Sequence, residues 1–343
     1  MQRAWPEAVF LWSGICLIWG LLPSVGALQQ SYAQPLAAPV VPDTAFEFVA
    51  LGDMPYTTPE VDRDPAFQRL IAAINRLQPA FSLHVGDIKS GSTRCDDTTF
   101  AKIKAFFMTF EQPLVYTPGD NEWTDCHRKS NGAFDPLERL AVLRALFFPT
   151  AVSLGKTTLA LTRQSDVSNH KRMVENARWL TRRVLFVTVH VVGSNNNLRQ
   201  DPGAAREFLA RNAANLLWIE EAFRVARRER AHGVVLAMQA DPGFQRRHGD
   251  DSGFKDTLNV LAVQAAAFAK PVLIVHGDSH EFLFDQPLRH PRTSRLLPNV
   301  RRLEVFGASE VHAVRVFVKP SEPGLFSVQP LLVPENLPLP FQP

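Results

Sequence analysis

Short apolar runs alternate with longer amphipathic stretches along most of this chain. Residues 46–51, 81–85, 114–117, 184–192, 234–238 and 271–276 are apolar nearly throughout, the pattern of strands buried on both faces. Between them apolar residues recur at helical spacing: Phe67, Leu70, Ile71 and Ile74 behind Pro65, then Ile103, Phe106, Phe107 and Phe110, then stretches 136–147, 204–230 and 256–269. This strand and helix order predicts a layered α/β fold. Segments 303–306, 311–318 and 325–333 instead alternate apolar and polar residues, which predicts antiparallel strands with one face toward water. Residues 135–181 are less regular. Past their helix they predict loops and short strands reaching over the rim of the sheet.

Apolar segments repeatedly run into one dipeptide: Gly52-Asp53, Gly86-Asp87, Gly119-Asp120 and Gly277-Asp278. Gly and Asp are ordinary turn residues, so one such pair means little. Recurrence changes the reading, because ligands of open α/β sheets sit just outside the carboxyl ends of strands. Carboxylates gathered there repel unless a cation lies among them. The run at 184–192 carries His190 and leads to Gly193-Ser194-Asn195-Asn196-Asn197, in which the Asn195 and Asn196 amides are candidate substrate contacts. Lys89 and Arg94, just past Asp87, are candidate grips for a phosphate. Gly155-Lys156-Thr157 looks like the end of a phosphate-binding loop, but Thr150 stands where that motif needs its first glycine. His84 and His276 lie inside apolar runs, where a hydrogen-bonded core histidine is the expectation.

Charge narrows the function classes. The net charge is only +3, the arginines are scattered or grouped near a helix end as at Arg224, Arg227, Arg228 and Arg230, and no basic stripe interleaved with aromatics marks a nucleic-acid binder. At the N-terminus Arg3 precedes an apolar run at 8–22 that Pro23 ends, and small residues follow at Ala27 and Ala33. This reads as a signal peptide over 1–33, cut after Ala27 or Ala33, then a Pro/Ala-rich linker at 34–45 and a domain at 46–343. The run is shorter than the ~20 residues of a membrane span, so the cleaved chain keeps no stable anchor; Glu7 leaves a retained anchor as the alternative. The expectation is an exported protein, periplasmic or secreted. Cleavage leaves Cys95 and Cys126, which in an oxidising compartment are most simply paired, tying the loop after Asp87 to the loop after Asp120.

The order of motifs resembles the calcineurin-like metallophosphoesterases, a family marked by Asp-x-His, Gly-Asp, Gly-Asn-His-Asp/Glu, a lone His after a later strand, and Gly-His-x-His. The matching pieces are Asp53-Met54-Pro55, Gly86-Asp87, Gly119-Asp120-Asn121-Glu122, Gln239 and Gly277-Asp278-Ser279-His280, and the helix text from Leu217 to Phe223 is similar as well. The resemblance covers most of the chain after residue 46. It implies two mixed β-sheets packed as a sandwich with helices on the outer faces, a four-layer αββα fold, and two divalent metal ions bridged by Asp87. By position, Asp53, Asp87 and His280 would hold the first metal. Asp87, Asp120 or Asn121, Gln239 and Asp278 would hold the second.

Imidazoles that the family places at 55, 121, 239 and 278 are absent here. Oxygen donors in their place favour Mn, Mg, Ca or Fe over Zn. The family's catalytic histidine falls at Asn121, whose amide can hydrogen-bond a phosphoryl group but supplies no proton. His127 and His190 are therefore the candidate general acids. The implied activity is hydrolysis of a small phosphomonoester or phosphodiester by a metal-activated water. The alternative is a relative that keeps the fold, catalyses weakly or not at all, and binds a ligand or partner.

Overall fold

The computed structural model describes residues 44–337, so the leader and nearly all of the linker expected from the sequence lie outside the described residues. In chain order the strands are β1 (Phe46–Leu51), β2 (Ser82–His84), β3 (Leu114–Tyr116), β4 (Thr162–Arg163), β5 (Ala177–Thr181), β6 (Val184–Thr188), β7 (Gly233–Ala237), β8 (Val272–His276), β9 (Leu283–Asp285), β10 (Val300–Glu304), β11 (Ala313–Val318) and β12 (Phe326–Leu331). The helices are α1 (Asp64–Leu77), α2 (Asp97–Phe107), α3 (Pro136–Phe147), the single turn α4 (Gln164–Val167), α5 (Gly193–Asn196), a turn whose backbone is left-handed rather than α-helical, α6 (Pro202–Arg228) and α7 (Lys255–Phe268).

Several helix starts are written locally. Asp135 and Asp201 each precede a proline, and their carboxylates accept the N–H groups of Leu137 and Glu138 and of Ala204, satisfying donors that the first turn leaves orphaned. Asp96 caps α2 through the Thr99 N–H.

The strands form two sheets, ordered β12-β11-β1-β2-β3 and β4-β5-β6-β7-β8-β10-β9. In the first, β1, β2 and β3 run parallel while β11 and β12 are antiparallel. In the second, β6, β7, β8 and β10 run parallel, with antiparallel pairs at both edges. Their inner faces share one core, in which Phe48, Phe81 and Val316 of the first sheet meet Trp179, Phe186 and Leu273 of the second. The Phe186 ring stands edge-on to Phe48 at 5.3 Å and to Phe81 at 4.9 Å, locking the sheets together. Helices α1, α2 and α3 cover the outer face of the first sheet through Phe67, Phe100 and Leu143. The outer face of the second is covered by α6 and α7 through Trp218, Phe223 and Leu261. This is the four-layer αββα sandwich.

Some expectations are corrected. The segment expected to be antiparallel at 303–306 belongs to β10, which pairs parallel with β8 and antiparallel only with the unanticipated edge strand β9. The run at 184–192 leaves regular pairing after Thr188, because the Asn176 side chain takes the His190 N–H at 2.7 Å. β4 and β5 extend the edge of the second sheet. Among the described residues no helix is long and apolar enough to cross a membrane.

Candidate metal centre

Parallel pairing alone gathers the carboxyl ends of β1, β2 and β3 in one sheet and of β6, β7 and β8 in the other. At that rim, carboxylate oxygens of Asp87, Asp120 and Asp278 lie within 4.8 Å of one another. Asp53 stands behind them, fully buried. Its Oδ1 accepts the Asp278 N–H at 3.0 Å and lies 3.6 Å from His280 Nε2. Asp53 Oδ2 and Asp120 Oδ1 are buried without a hydrogen-bond partner.

The backbone is bent to make this possible. Asp53, Asp87, Asp278 and His280 have φ of 52°, 54°, 82° and 68°, a region costly for residues with a Cβ and best tolerated by Asp and Asn. Two glycines supply the clearance. A Cβ on Gly277 would lie 1.9 Å from Asp53 Oδ2, and one on Gly193 would lie 2.7 Å from Asp278 Oδ1 and 2.8 Å from Asp120 Oδ1.

The electrostatics of the cluster point one way. Burial, then the Asp278 charge, push Asp53 well above the usual carboxylate range; burial and Asp120 do the same to Asp87. Asp278 is pushed up to about 7 by burial and by Asp120. Buried, mutually repelling carboxylates with orphaned oxygens are the donor set of a cation site, so the residues fit a divalent metal.

A fixed frame surrounds them. The Tyr56 hydroxyl donates to Asp87 Oδ2 at 2.9 Å, receives the Asn121 amide at 2.9 Å, and lies 3.3 Å from His280 Nε2. Asn121 also donates its amide to Asp87 Oδ2 at 2.7 Å and its backbone N–H to Oδ1 at 3.1 Å. Glu122 Oε1 accepts from Gly119 N, Tyr116 OH and Asp87 N, fastening the end of β3 to Asp87. His84 accepts the Gly86 N–H and donates to the Met54 carbonyl at 3.2 Å, so it joins the Asp53 and Asp87 loops as a neutral core histidine. The Cys95–Cys126 disulfide forms as expected, and its sulfurs lie 3.5 and 3.8 Å from the Asn121 carbonyl oxygen.

The structure is similar to a dimetal phosphatase from Danio rerio, with a TM-score of 0.51 and 11% identity over 82% of this chain and 98% of that one. This is the metallophosphoesterase fold. Looser likenesses include the purple acid phosphatase PPD1 of yellow lupin, Lupinus luteus (TM-score 0.47, 11% identity, 85% of this chain and 55% of that one), and GAP50, the anchor in the inner membrane complex of Plasmodium (0.45, 12%, 84% and 89%). No family model matches the sequence, and no curated protein matches it.

At the rim of this metallophosphoesterase fold Asp53, Asp87, Asp120, Asn121, Gln239, Asp278 and His280 come together, while the remaining candidates do not. Gln239 spends its side-chain oxygen on the Gly193 N–H at 2.6 Å, and so holds the 193 loop. His190 is fully buried, with Nδ1 2.7 Å from Glu175, which Arg144 also grips, and its ring against Trp123; it is closed off from a leaving group. His127 has Nδ1 2.7 Å from the Thr124 carbonyl and faces Arg199, without touching the carboxylates. Lys89 is buried, with its ammonium on the Ser90 carbonyl, and burial lowers it to about 8 against the pull of Glu122 and Asp87. It balances the cluster's charge from inside. Arg94 is exposed and paired with Asp96. Asn195 and Asn196 bind the 251–253 backbone and Arg211, so they shape the loop.

Sequence reasoning missed the positioning roles of Tyr56 and Ser194. The Ser194 hydroxyl lies 2.7 Å from Asp120 Oδ2 and 2.9 Å from Asp125 Oδ1. Tyr56 directly follows the Asp53-Met54-Pro55 piece, which was the available signal.

Proposed function

We propose that the protein is an exported, metal-dependent phosphoesterase that hydrolyses a small phosphate monoester or diester. The observation that carries this is the meeting of Asp87, Asp120 and Asp278 within 4.8 Å, backed by Asp53. Asp53, Asp87, Asp120, Asp278 and His280 would hold one or two divalent cations. An oxygen-rich donor set suits Mn, Mg, Ca or Fe better than Zn. A bound cation supplies Lewis acidity to a phosphoryl oxygen and to an attacking water. The Asn121 amide spends its two N–H groups on Asp87 and Tyr56, and so positions the carboxylate that a cation would share. Tyr56, in contact with Asp87, takes over from His127 and His190 as the candidate to protonate the leaving oxygen. The Cys95–Cys126 disulfide supports export.

One feature favours a second reading, a binding protein on the same fold. Asn121 stands where the proton donor is expected, with its amide already engaged by Asp87 and Tyr56. Metal content of the purified protein, and hydrolysis of p-nitrophenyl phosphate and bis-p-nitrophenyl phosphate with added manganese, separate the two when measured beside Asp87→Asn. The expected result is bound metal and turnover, both lost in the variant. Bound metal with no turnover on either ester selects the binding reading, and absence of bound metal rejects both.

A further inference from the structure

A cavity of about 730 Å³ opens between α3 and α6, and none of the rim carboxylates lines it. Sites for small molecules commonly enclose roughly 300–1,000 Å³ behind mostly apolar walls. Here the wall is Leu140, Ala145, Phe148, Met173, Val174 and Ala210, and Leu137 on the same wall is left 46% exposed. An apolar occupant covers the exposed Leu137, Ala145 and Ala210 and adds dispersion contacts with the rest of the wall, so it is stabilised there.

Charge says what the other end of that occupant is. Four arginines and one glutamate line the cavity. Arg144 is committed to Glu175 at 3.0 Å and Arg211 to Glu207 at 2.6 Å. Arg172 and Arg206 are exposed, and neither has an acidic partner among the described residues. A peptide occupant would bring backbone N–H and C=O groups against a wall whose polar side chains are largely spent, at a desolvation cost that an alkyl chain avoids. We propose that this cavity binds a single-chain anionic amphiphile, an alkyl carboxylate of the fatty-acid type, with its chain along the α3–α6 wall and its carboxylate on Arg172 and Arg206.

The test is displacement of dansyl-undecanoate fluorescence from the full chain by dodecanoate, dodecanol and acetate. Dodecanoate is expected to displace the probe, dodecanol roughly tenfold less well, and acetate not at all, since both the anion and the chain are needed. Arg172→Glu with Arg206→Glu should weaken dodecanoate by at least about tenfold. Ala145→Trp and Ala210→Trp fill the space from exposed positions that the fold tolerates, and should abolish binding. Circular dichroism checks that each variant is folded. Failure of the full chain to bind the probe, binding that survives both Trp substitutions, or equal potency of dodecanol and dodecanoate overturns the proposal.

Discussion

Asp53 and Asp87 are buried and Asp278 half-buried, all three set in left-handed backbone and turned toward one another, so the folded chain without a cation carries their repulsion. Asp87→Asn removes one charge and keeps the side chain's shape. In chelator this variant is expected to melt above the parent protein, because a buried like-charge contact is relieved. In manganese the order reverses, since a ligand at a hundredfold excess over Kd adds about 2.7 kcal/mol to a chain that binds it. Thermal melts in both conditions decide this, and a parent protein that melts higher in chelator too removes the argument. Tyr56→Phe keeps the ring against His280 but deletes the donor to Asp87, at a stability cost of about 1 kcal/mol. If Tyr56 supplies the proton, turnover of esters with poorly acidic leaving groups falls by about 10²-fold or more, and activated aryl esters lose far less; equal losses on both would rule that role out. The gathering of the four aspartates at one rim was legible because Gly-Asp at the end of an apolar run is a local signal, and the nearby place of His280 came only from the resemblance of Gly277-Asp278-Ser279-His280 to a family motif. The roles of Tyr56 and Ser194 rest on partners 31 and 74 positions away, and local text does not encode them. His190 was misread for the same reason: Glu175 and Trp123, remote in sequence, enclose it.

The loop at 193–197 shows how an element aims a residue. Ser194, Asn195, Asn196 and Asn197 have successive φ of 49°, 54°, 52° and 62°, so the Asn run is chosen for its tolerance of left-handed backbone and for the side-chain bonds that pin it to 251–253. Gly193→Ala would drive a Cβ into both Asp120 and Asp278. The expected outcome is a chain with unchanged circular dichroism and manganese affinity lowered by about tenfold or more, read by titration calorimetry; unchanged affinity would mean those two carboxylates do not act as ligands. Replacing Cys95 and Cys126 together by Ala opens a crosslink of sequence separation 31 beneath Asn121. Denaturant titration is expected to show a loss of about 3–4 kcal/mol on the chain-entropy account. Helix boundaries at Pro136 and Pro202 were readable to within a residue or two, since Asp-Pro encodes both cap and first turn. The parallel pairing of β10 with β8 was not, because partner choice is made across the sheet.

At the scale of the whole molecule, the rim opposes the sandwich that carries it, and the balance depends on pH. Asp278, raised to about 7, and Asp53 and Asp87, raised well above the usual carboxylate range, keep protons in the folded chain that the unfolded chain has released. Glu304, raised to about 7 by burial, acts in the same direction. Where the folded state binds more protons, stability falls as pH rises. Three other side chains act oppositely outside a definable window. His84 and His276, lowered to about 3 and about 4 by burial, make stability rise with pH, but only up to the ordinary imidazole value of 6.5. Lys89, lowered to about 8, does the same above that point. Between 6.5 and about 8 the carboxylates therefore act almost alone. In chelator, unfolding free energy is expected to fall across this window, and Asp278→Asn should flatten the slope. With manganese the slope reverses, because the cation binds the deprotonated set and its binding releases protons. Denaturant titrations at several pH values in chelator and in manganese, with calorimetry in buffers of different ionisation enthalpy to count the protons, test each step. A slope in chelator that Asp278→Asn leaves unchanged would show that the rim does not carry this charge.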